Sequence, residues 1–408
     1  MSFLPADSTH RDPTVTVPQE PVKPHLLCRN LPGADETLVV LRTGATELQD
    51  RFPIHLSTTL KCYPHYMLFS DHEEVYKGEK ITDALSTVTQ DILSQHPDFE
   101  LHRRLLESGR EALLAKELSG SESEAIQWTG KADNPGWKLD KWKFLPMVNQ
   151  TFHERPDMKW YLFVEADTYV LWASLLEYLA VLDHTKPVYT GSQMYIGDVV
   201  FAHGGSGFIV SRSAMRMVVE HYAVHKGELE SFTDGHWAGD CVLGKAFRDA
   251  GVKFVDAWPI MQGDYPGTVP YAKPDGRPIA DPTKRVWCYP TVSYHHLSPA
   301  VVEDLWHFEQ DWIADNRSVS YSITCQVDQC ADRPFRRSIH TSAIKTYSPN
   351  TFFLVCRRRV QTGTARAIRI KELSSSKAIV LQNAMLIPSA GSGQSITKND
   401  AGHAQTHG

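Results

Sequence analysis

Residues 160–167, Trp-Tyr-Leu-Phe-Val-Glu-Ala-Asp, decide the fold of this 408-residue chain. The first five are apolar and mostly aromatic or branched, which predicts a buried β-strand. A helix is predicted directly after them, over residues 171–182, and strands alternate with helices on both sides. Such alternation is typical of an α/β fold. Ligands of these folds bind beyond the carboxyl ends of the strands, so Glu165 and Asp167 lie where chemistry is expected.

Further strands and helices are predicted on either side of that segment. Apolar runs predict strands at residues 37–44, 65–71, 188–190, 199–201 and 253–255. Helical spacing of apolar residues predicts helices at about residues 48–60, 99–118, 137–152, 214–225 and 240–250. The third of these helices is predicted to begin or kink near Pro146, because proline interrupts helical hydrogen bonding.

The pair Glu165 and Asp167 places two carboxylates one residue apart, just past a buried strand. Carboxylate oxygens are hard ligands that suit Mg²⁺ or Mn²⁺. A divalent ion at this position would stabilise the charge on a departing phosphate. The alternative is that the two acids end the strand and cap the next helix, where acidic residues are favoured.

Three further segments combine residue types that bear on chemistry. Residues 203–207, His-Gly-Gly-Ser-Gly, allow backbone to approach a ligand closely, or form a tight turn between strands. Asp240 begins a predicted helix, where it is either a general base or an N-cap. His295 and His296 follow an apolar run and are either imidazole ligands of the same metal or a surface pair.

In their order and spacing, these segments resemble the fringe and core-1 β1,3-glycosyltransferase group. The resemblance covers roughly residues 37–312. It rests on residues 41–43 (LRT), 68–71 (LFSD), 160–169 (WYLFVEADTY), 203–212 (HGGSGFIVSR), 239–244 (GDCVLG) and 292–296 (VSYHH). It implies a GT-A nucleotide-sugar-binding fold, in which a mixed sheet is flanked by helices, with irregular terminal extensions.

The resemblance also implies an activity. An enzyme of this group would transfer a hexose from a UDP-sugar to a hydroxyl of a glycan or glycoprotein, with inversion and with Mn²⁺ as cofactor. Galactose is favoured over N-acetylglucosamine, and the implied linkage is β1,3. Asp240 is the implied catalytic base. Asp167 and His295 are the implied metal ligands, with His296 as the alternative to His295.

Contacts to the donor and acceptor follow from the same resemblance. The implied donor-binding residues are Thr43, Asp71, Lys143, Glu165, Ala166 and Asp167. The implied contacts to the donor sugar and acceptor are Gly204, Gly205, Ser206, Gly207 and Trp237. Two positions depart from the family pattern: Glu165 stands where aspartate is usual, and Gly239 precedes the base where an acid is common.

Composition divides the chain into three predicted parts. Residues 1–36 are Pro-rich and read as a leader or linker, residues 37–316 as the GT-A domain, and residues 317–408 as a basic, poorly ordered tail. The net charge of −6 combines about −15 over residues 1–330 with about +9 from residue 331 onward. An acidic body argues against nucleic acid as the main partner.

The location in the cell is predicted by the resemblance alone. The family is normally anchored in the Golgi by an N-terminal membrane helix, which implies the secretory lumen. This sequence shows no apolar stretch of about 20 residues, and its start is too polar for a signal peptide. The seven cysteines fit either two or three disulfides with an odd number of thiols left over, or seven ordinary thiols.

Two other functions stay open at the level of sequence. One is a metal-dependent nucleotide phosphohydrolase, although such an enzyme normally needs more carboxylate or imidazole ligands. The other is a non-catalytic carbohydrate-binding protein on the same fold. The presence of Asp167, Asp240 and His295 together argues against a loss of turnover.

Overall fold

The computed structural model describes residues 26–118, 134–270, 286, 289–318, 344–348, 351–354, 357–359 and 365–367. The strands are β1 (Thr37–Arg42), β2 (His65–Ser70), β3 (Glu74–Tyr76), β4 (Glu79–Asp83), β5 (Trp160–Glu165), β6 (Tyr169–Val170), β7 (Tyr189–Gly191), β8 (Gln193–Ile196), β9 (Val199–Ala202), β10 (Phe208–Ser211), β11 (Phe254–Asp256), β12 (Ser293–Tyr294), β13 (Ile344–Ser348), β14 (Thr351–Leu354), β15 (Arg357–Arg359) and β16 (Ala365–Ala367). The helices are α1 (Leu48–Arg51), α2 (Pro53–Ser57), α3 (Gln90–Gln95), α4 (Glu100–Ser108), α5 (Pro135–Glu154), α6 (Trp172–Leu179), α7 (Arg212–Asp234), α8 (Gly239–Asp249) and α9 (Pro299–Ser318).

An eight-stranded mixed sheet forms the centre of the molecule, in the order β11-β7-β10-β5-β1-β2-β4-β3. Strand β1 pairs in parallel with β2 and β5, whereas β10 runs antiparallel to β5 and β7. Helices cover both faces. The predicted α/β fold, a mixed sheet flanked by helices, is therefore confirmed, and it is compatible with a GT-A fold.

Strand β1 is buried along its whole length, because it contributes to hydrophobic cores on both sides of the sheet. Val39 and Leu41 pack in the core that contains α6. Leu38 and Val40 point the other way, into the core formed with α5, α7 and α8. A strand that is covered on both faces typically has a continuous run of apolar residues, and β1 shows this pattern.

The sheet and a small two-stranded ladder bring the candidate residues together. Since β1, β2 and β5 are parallel, their carboxyl ends meet at one edge of the sheet. Strand β12 pairs with β6, and the Leu297 amide donates to the Asp167 carbonyl at 3.0 Å. This ladder places His295 beside Asp167, which is 128 positions earlier in the chain.

Several predicted helices differ from the structure, and the helix predicted over residues 214–225 is the longer α7, Arg212–Asp234. The helix predicted over residues 99–118 is wrong in length, since α4 ends at Ser108 where Gly109 takes a positive φ of 59°. The helix predicted over residues 48–60 is broken into α1, α2 and a 3-10 turn, with Pro53 at the first position of α2. Helix α5 begins at Pro135 and not near Pro146, which lies inside it.

The residues predicted to form a leader overlap the part of the chain that the structure describes. Residues 26–36, assigned above to a leader, form two 3-10 helices, Leu27–Asn30 and Ala34–Glu36. A disulfide joins the fully buried Cys28 to Cys62. We therefore propose that the folded unit begins before residue 37.

The thiols and the predicted tail are described only in part. Cys241 is buried and free, whereas Cys288, Cys325, Cys330 and Cys356 lie outside the described residues. The predicted tail, residues 317–408, also lies outside them except for the end of α9 and two ladders, β13–β14 and β15–β16. Within the described part of the chain, no helix has both the length and the apolar character required to cross a membrane.

Candidate active site

A cluster of one acid and two histidines lies at the carboxyl edge of the sheet. Ligand atoms of Asp167, His295 and His296 all lie within 4.8 Å of one another. The Nε2 atom of His295 is 3.2 Å from Asp167 Oδ1 and 3.6 Å from Glu165 Oε2. The backbone of His296 adopts a left-handed conformation, with φ at 58°. The sequence left these two histidines as alternatives, and the structure brings both of them to Asp167.

This cluster fits a divalent cation. One carboxylate and two imidazoles are donors that Mn²⁺ and related ions accept. His295 is 6% exposed, and its Nδ1 atom is buried without a hydrogen-bond partner. Asp167 is 19% exposed, so an ion can enter the cluster from solvent.

The acids around His295 change its protonation. Burial alone would lower the pKa of His295, but Asp167 and Glu165 raise it to about 10. Burial by itself would raise the pKa values of Asp167 and Glu165. His295 nevertheless holds the pKa of Asp167 below its ordinary range. Arg42 and His295 together do the same for Glu165. The metal-free cluster thus contains a cationic imidazole, and binding of a metal at that imidazole would release its proton.

Glu165 faces a different set of partners from Asp167. Arg42 forms ion pairs with Glu165 and with both carboxylate oxygens of Asp140, the latter at 2.7 Å. The guanidinium of Arg42 also lies 3.9 Å from the centroid of the Phe144 ring. Arg42 is 5% exposed, whereas the side chain of Glu165 is 29% exposed, so Glu165 is the more solvent-accessible member of this ion pair. The backbone of Ala166, between the two acids, donates to the Arg42 carbonyl at 3.1 Å.

Three of the predicted donor-binding residues form one buried group. Lys143 Nζ is 3.4 Å from Asp71 Oδ2 and donates to the carbonyl of Thr43 at 3.0 Å. Burial by itself would lower the pKa of Lys143, but the charge of Asp71 keeps it above its ordinary value. Asp71 also accepts a hydrogen bond from the Ala45 amide at 2.6 Å. All three predicted residues are at most 3% exposed, so in this structure they support the loop after β1 rather than line the surface.

The glycine segment lies between the metal cluster and the candidate base. The Gly204 amide donates to Asp240 Oδ2 at 2.9 Å. A Cβ at Gly205 would overlap the ring of His295, so only glycine permits this packing. Gly207 has a positive φ of 75°, and the side chain of Ser206 is buried. The segment is a tight turn. Because Gly204 and Gly205 carry no side chain, Asp240 and His295 can approach its backbone closely.

Asp240 is the second residue of α8 and is held by two backbone amides. Its Oδ1 accepts from the Cys241 amide at 2.9 Å, and its Oδ2 accepts from Gly204. Burial raises the pKa of Asp240 to about 6, although both amides act in the opposite direction. A carboxylate with such a pKa is suited to general-base chemistry near neutral pH.

Steric crowding explains why the residue before Asp240 is a glycine, Gly239. A Cβ at Gly239 would overlap the ring of Phe144 and would lie 2.7 Å from the Cα of Lys141. The start of α8 therefore packs directly on α5, and an acidic side chain has no room here. Trp237, just before this helix, is 59% exposed and is open to a ligand.

Sequence reasoning missed four charged residues of the site: Arg42, Glu47, Arg51 and Asp140. Arg42 carried a signal, since a charge ends the apolar run of β1. Glu47 is the N-cap residue of the short helix α1, and Arg51 is its last residue. Arg51 Nη1 is 3.4 Å from Asp167 Oδ2, and burial together with Asp167 raises the pKa of Glu47 to about 7.

Comparison with known proteins gives one family. The Fringe-like family model matches residues 138–257, which include β5 with its final residue Glu165, then Asp167, the glycine segment and Asp240. This match confirms the resemblance found in the sequence, and it indicates a glycosyltransferase in general terms. No curated protein matches the chain at a significant level.

Proposed function

We propose that this protein is an inverting, Mn²⁺-dependent glycosyltransferase. It would transfer a hexose, galactose before N-acetylglucosamine, from a UDP-sugar to a hydroxyl of a glycan or glycoprotein in a β1,3 linkage. One observation carries the proposal: Gly204 and Gly205 connect two chemical groups. Gly204 binds the candidate base Asp240, and Gly205 packs on His295 of the candidate metal cluster.

The chemistry follows from the roles that these side chains can take. Asp240 would accept the proton of the acceptor hydroxyl as its oxygen attacks the anomeric carbon. The new carbon–oxygen bond forms on the face opposite the bond to UDP, which breaks. A divalent ion held by Asp167, His295 and His296 would supply charge stabilisation for the departing diphosphate. The proton on Asp240 then passes to solvent, and UDP carries away the electron pair of the broken bond.

The base assignment is tested by Asp240→Asn. The amide keeps the shape of the side chain but cannot take the proton, so transfer should fall by about 10² to 10⁴. Binding of UDP with Mn²⁺, measured by calorimetry, should stay close to that of wild type. Asp249→Asn is the matched control, because Asp249 ends the same helix α8 and pairs with Lys245 and Arg248 instead. Full turnover by Asp240→Asn would remove Asp240 from this role.

The same residue predicts a pH dependence. With a pKa of about 6, Asp240 is a carboxylate above that pH and is protonated below it. The rate of transfer should therefore rise as pH increases through about 6, with roughly a tenfold loss for each pH unit below. The residual rate of Asp240→Asn should not show this rise with pH. A wild-type profile that stays flat from about pH 5 to about pH 7 would contradict the assignment.

The disulfide supports a secretory location for this activity. Structural disulfides persist in oxidising compartments and are rare in the cytosol. Cys28 and Cys62 form such a bond inside the described fold. We therefore extend the proposal to a protein that works in the secretory lumen, the Golgi included.

A further inference from the structure

We propose that Arg51 takes the place of the metal cation in the metal-free site, and that its guanidinium binds the donor diphosphate once a metal displaces it. This inference rests on the proposed function, because it concerns the same cluster. It assigns a role to a residue that neither sequence motifs nor the family match single out.

Arg51 touches both segments that carry the candidate ligands. Its Nη1 atom lies 3.4 Å from Asp167 Oδ2, in the loop after β5. The same nitrogen donates to the carbonyl of Leu297 at 3.1 Å, just after His295 and His296. One cationic atom thus joins the two loops that a bound metal would also join.

Asp167 therefore has a nitrogen-bearing neighbour at each carboxylate oxygen. His295 lies at Oδ1 and Arg51 at Oδ2. A metal that coordinates Asp167 competes with Arg51 for Oδ2. An arginine keeps its charge at any ordinary pH. The guanidinium must then move away, because two cations a few ångströms apart repel each other.

The neighbouring cations are less able to meet a ligand. Arg42 is 5% exposed and is held by Asp140 and Glu165. Lys143 is 3% exposed and is held beside Asp71. The side chain of Arg51 is 30% exposed, so of these three cations it is the most open to solvent.

The chemistry of a diphosphate suits a released guanidinium. Arginine presents a planar set of N–H donors that matches two phosphate oxygens at once. The bound metal would sit against the same diphosphate, so a displaced Arg51 has an anion close at hand. Metal binding and donor binding are coupled in this way through a single side chain.

The test is Arg51→Gln, studied with two probes. Loss of the competing charge should tighten the binding of Mn²⁺ alone by about fivefold, measured by calorimetry without nucleotide. Loss of the phosphate contact should weaken UDP binding at saturating Mn²⁺ by about tenfold. Arg51→Lys, which retains the charge, should show Mn²⁺ affinity close to that of wild type.

A purely structural role predicts a different pattern. If Arg51 only fastens the two loops, Arg51→Gln would bind Mn²⁺ more weakly or equally, and either result overturns the proposal. The control is Arg103→Gln, because Arg103, like Arg51, fastens two segments through one nitrogen, which donates to the carbonyls of Leu93 and His96. Both affinities should be unchanged in it, and thermal unfolding checks that each variant is folded.

The outcomes separate this inference from the function it rests on. Wild-type protein that binds Mn²⁺ and transfers sugar, beside an unchanged Arg51→Gln, overturns the role of Arg51 alone. Wild-type protein that binds UDP but no Mn²⁺ overturns this inference and the metal dependence together. Transfer activity, measured separately as acceptor-stimulated UDP release, decides the proposed function.

Discussion

The missing side chain of Gly205 determines where His295 can lie. A Cβ at this position would overlap the imidazole, so Gly205→Ala must displace the ring or the turn. We expect Mn²⁺ affinity to fall by at least about tenfold, since one imidazole ligand moves out of reach. Calorimetric titration with Mn²⁺ measures this.

Gly227→Ala is the control for that substitution. Nothing lies within 4 Å of a Cβ at Gly227, which is inside helix α7. Alanine there should leave Mn²⁺ affinity unchanged and should stabilise the protein by about 0.5–1 kcal/mol. Gly205→Ala with wild-type Mn²⁺ affinity would show that His295 is not a ligand.

Residue types and a family resemblance together pointed to the candidate site. Asp167, Asp240 and His295 were singled out as carboxylates and an imidazole at the ends of predicted elements, and the resemblance implied their roles. Arg42 and Arg51 were missed because their partners are remote in sequence. Arg42 pairs with Asp140, 98 positions away, and Arg51 pairs with Asp167, 116 positions away. Only the fold shows such pairs, since a surface arginine has the same local pattern.

At the level of elements, helix α9 supports the ladder that joins the two ligand loops. Its residue Glu309 is 2% exposed and accepts hydrogen bonds from Tyr169 Oη at 2.7 Å and from the Ala173 amide at 2.9 Å. Tyr169 belongs to β6 and pairs with Tyr294 of β12, next to His295. A buried acid on α9 thus holds the strand that pairs with the residues just before His295.

This arrangement predicts a pH dependence of stability. Burial raises the pKa of Glu309 from its ordinary value of 4.5 to about 7, although both hydrogen bonds oppose the change. The folded state holds the proton more tightly than the unfolded state does. The protonated Glu309 therefore adds roughly 3 kcal/mol to the free energy of unfolding. This contribution is complete below pH 4.5 and is lost as the pH rises through about 7.

Glu309→Gln keeps an acceptor in place and removes the titration. The free energy of unfolding should fall less between about pH 5 and about pH 8 than in wild type, as measured by urea denaturation. Glu303→Gln, at an exposed position of the same helix, should behave like wild type. An unchanged pH dependence in Glu309→Gln would mean that this acid is not responsible.

Element boundaries were harder to predict than element types. The strands β1, β2 and β5 were found because each is a short apolar run. Helix α4 was predicted ten residues too long, because its leucine spacing continues past Gly109, where the backbone turns. Pro146 is accommodated within α5. That helix instead begins after Asn134, whose side chain caps it by accepting hydrogen bonds from the amides of Gly136 and Trp137.

At the level of the whole molecule, the acidic body and its anionic substrate pose a problem of charge. A UDP-sugar is negative, and residues 1–330 carry a net charge of about −15. Within the described site, Arg42, Lys143 and Arg51 are already paired with acids. A divalent ion at Asp167 removes this conflict, so the charge of the body itself favours metal dependence.

The apolar pattern of the sequence predicts the overall architecture but does not predict the packing of residues 26–36. Alternating strands and helices determine the α/β class, and that alternation is visible in the apolar pattern. The packing of residues 26–36 is not visible there, because it depends on the bond between Cys28 and Cys62, 34 positions apart. Cysteine spacing alone does not determine which cysteines pair.

A calorimetric titration of UDP into wild-type protein, with Mn²⁺ and with EDTA in its place, tests the metal-dependent nucleotide-sugar site most directly. UDP should bind in the presence of Mn²⁺, and its affinity should fall by at least about tenfold with EDTA. Asp167→Ala should bind UDP weakly under both conditions. Equal UDP affinity with and without the metal, in wild type and in Asp167→Ala alike, would contradict a metal-dependent nucleotide-sugar site.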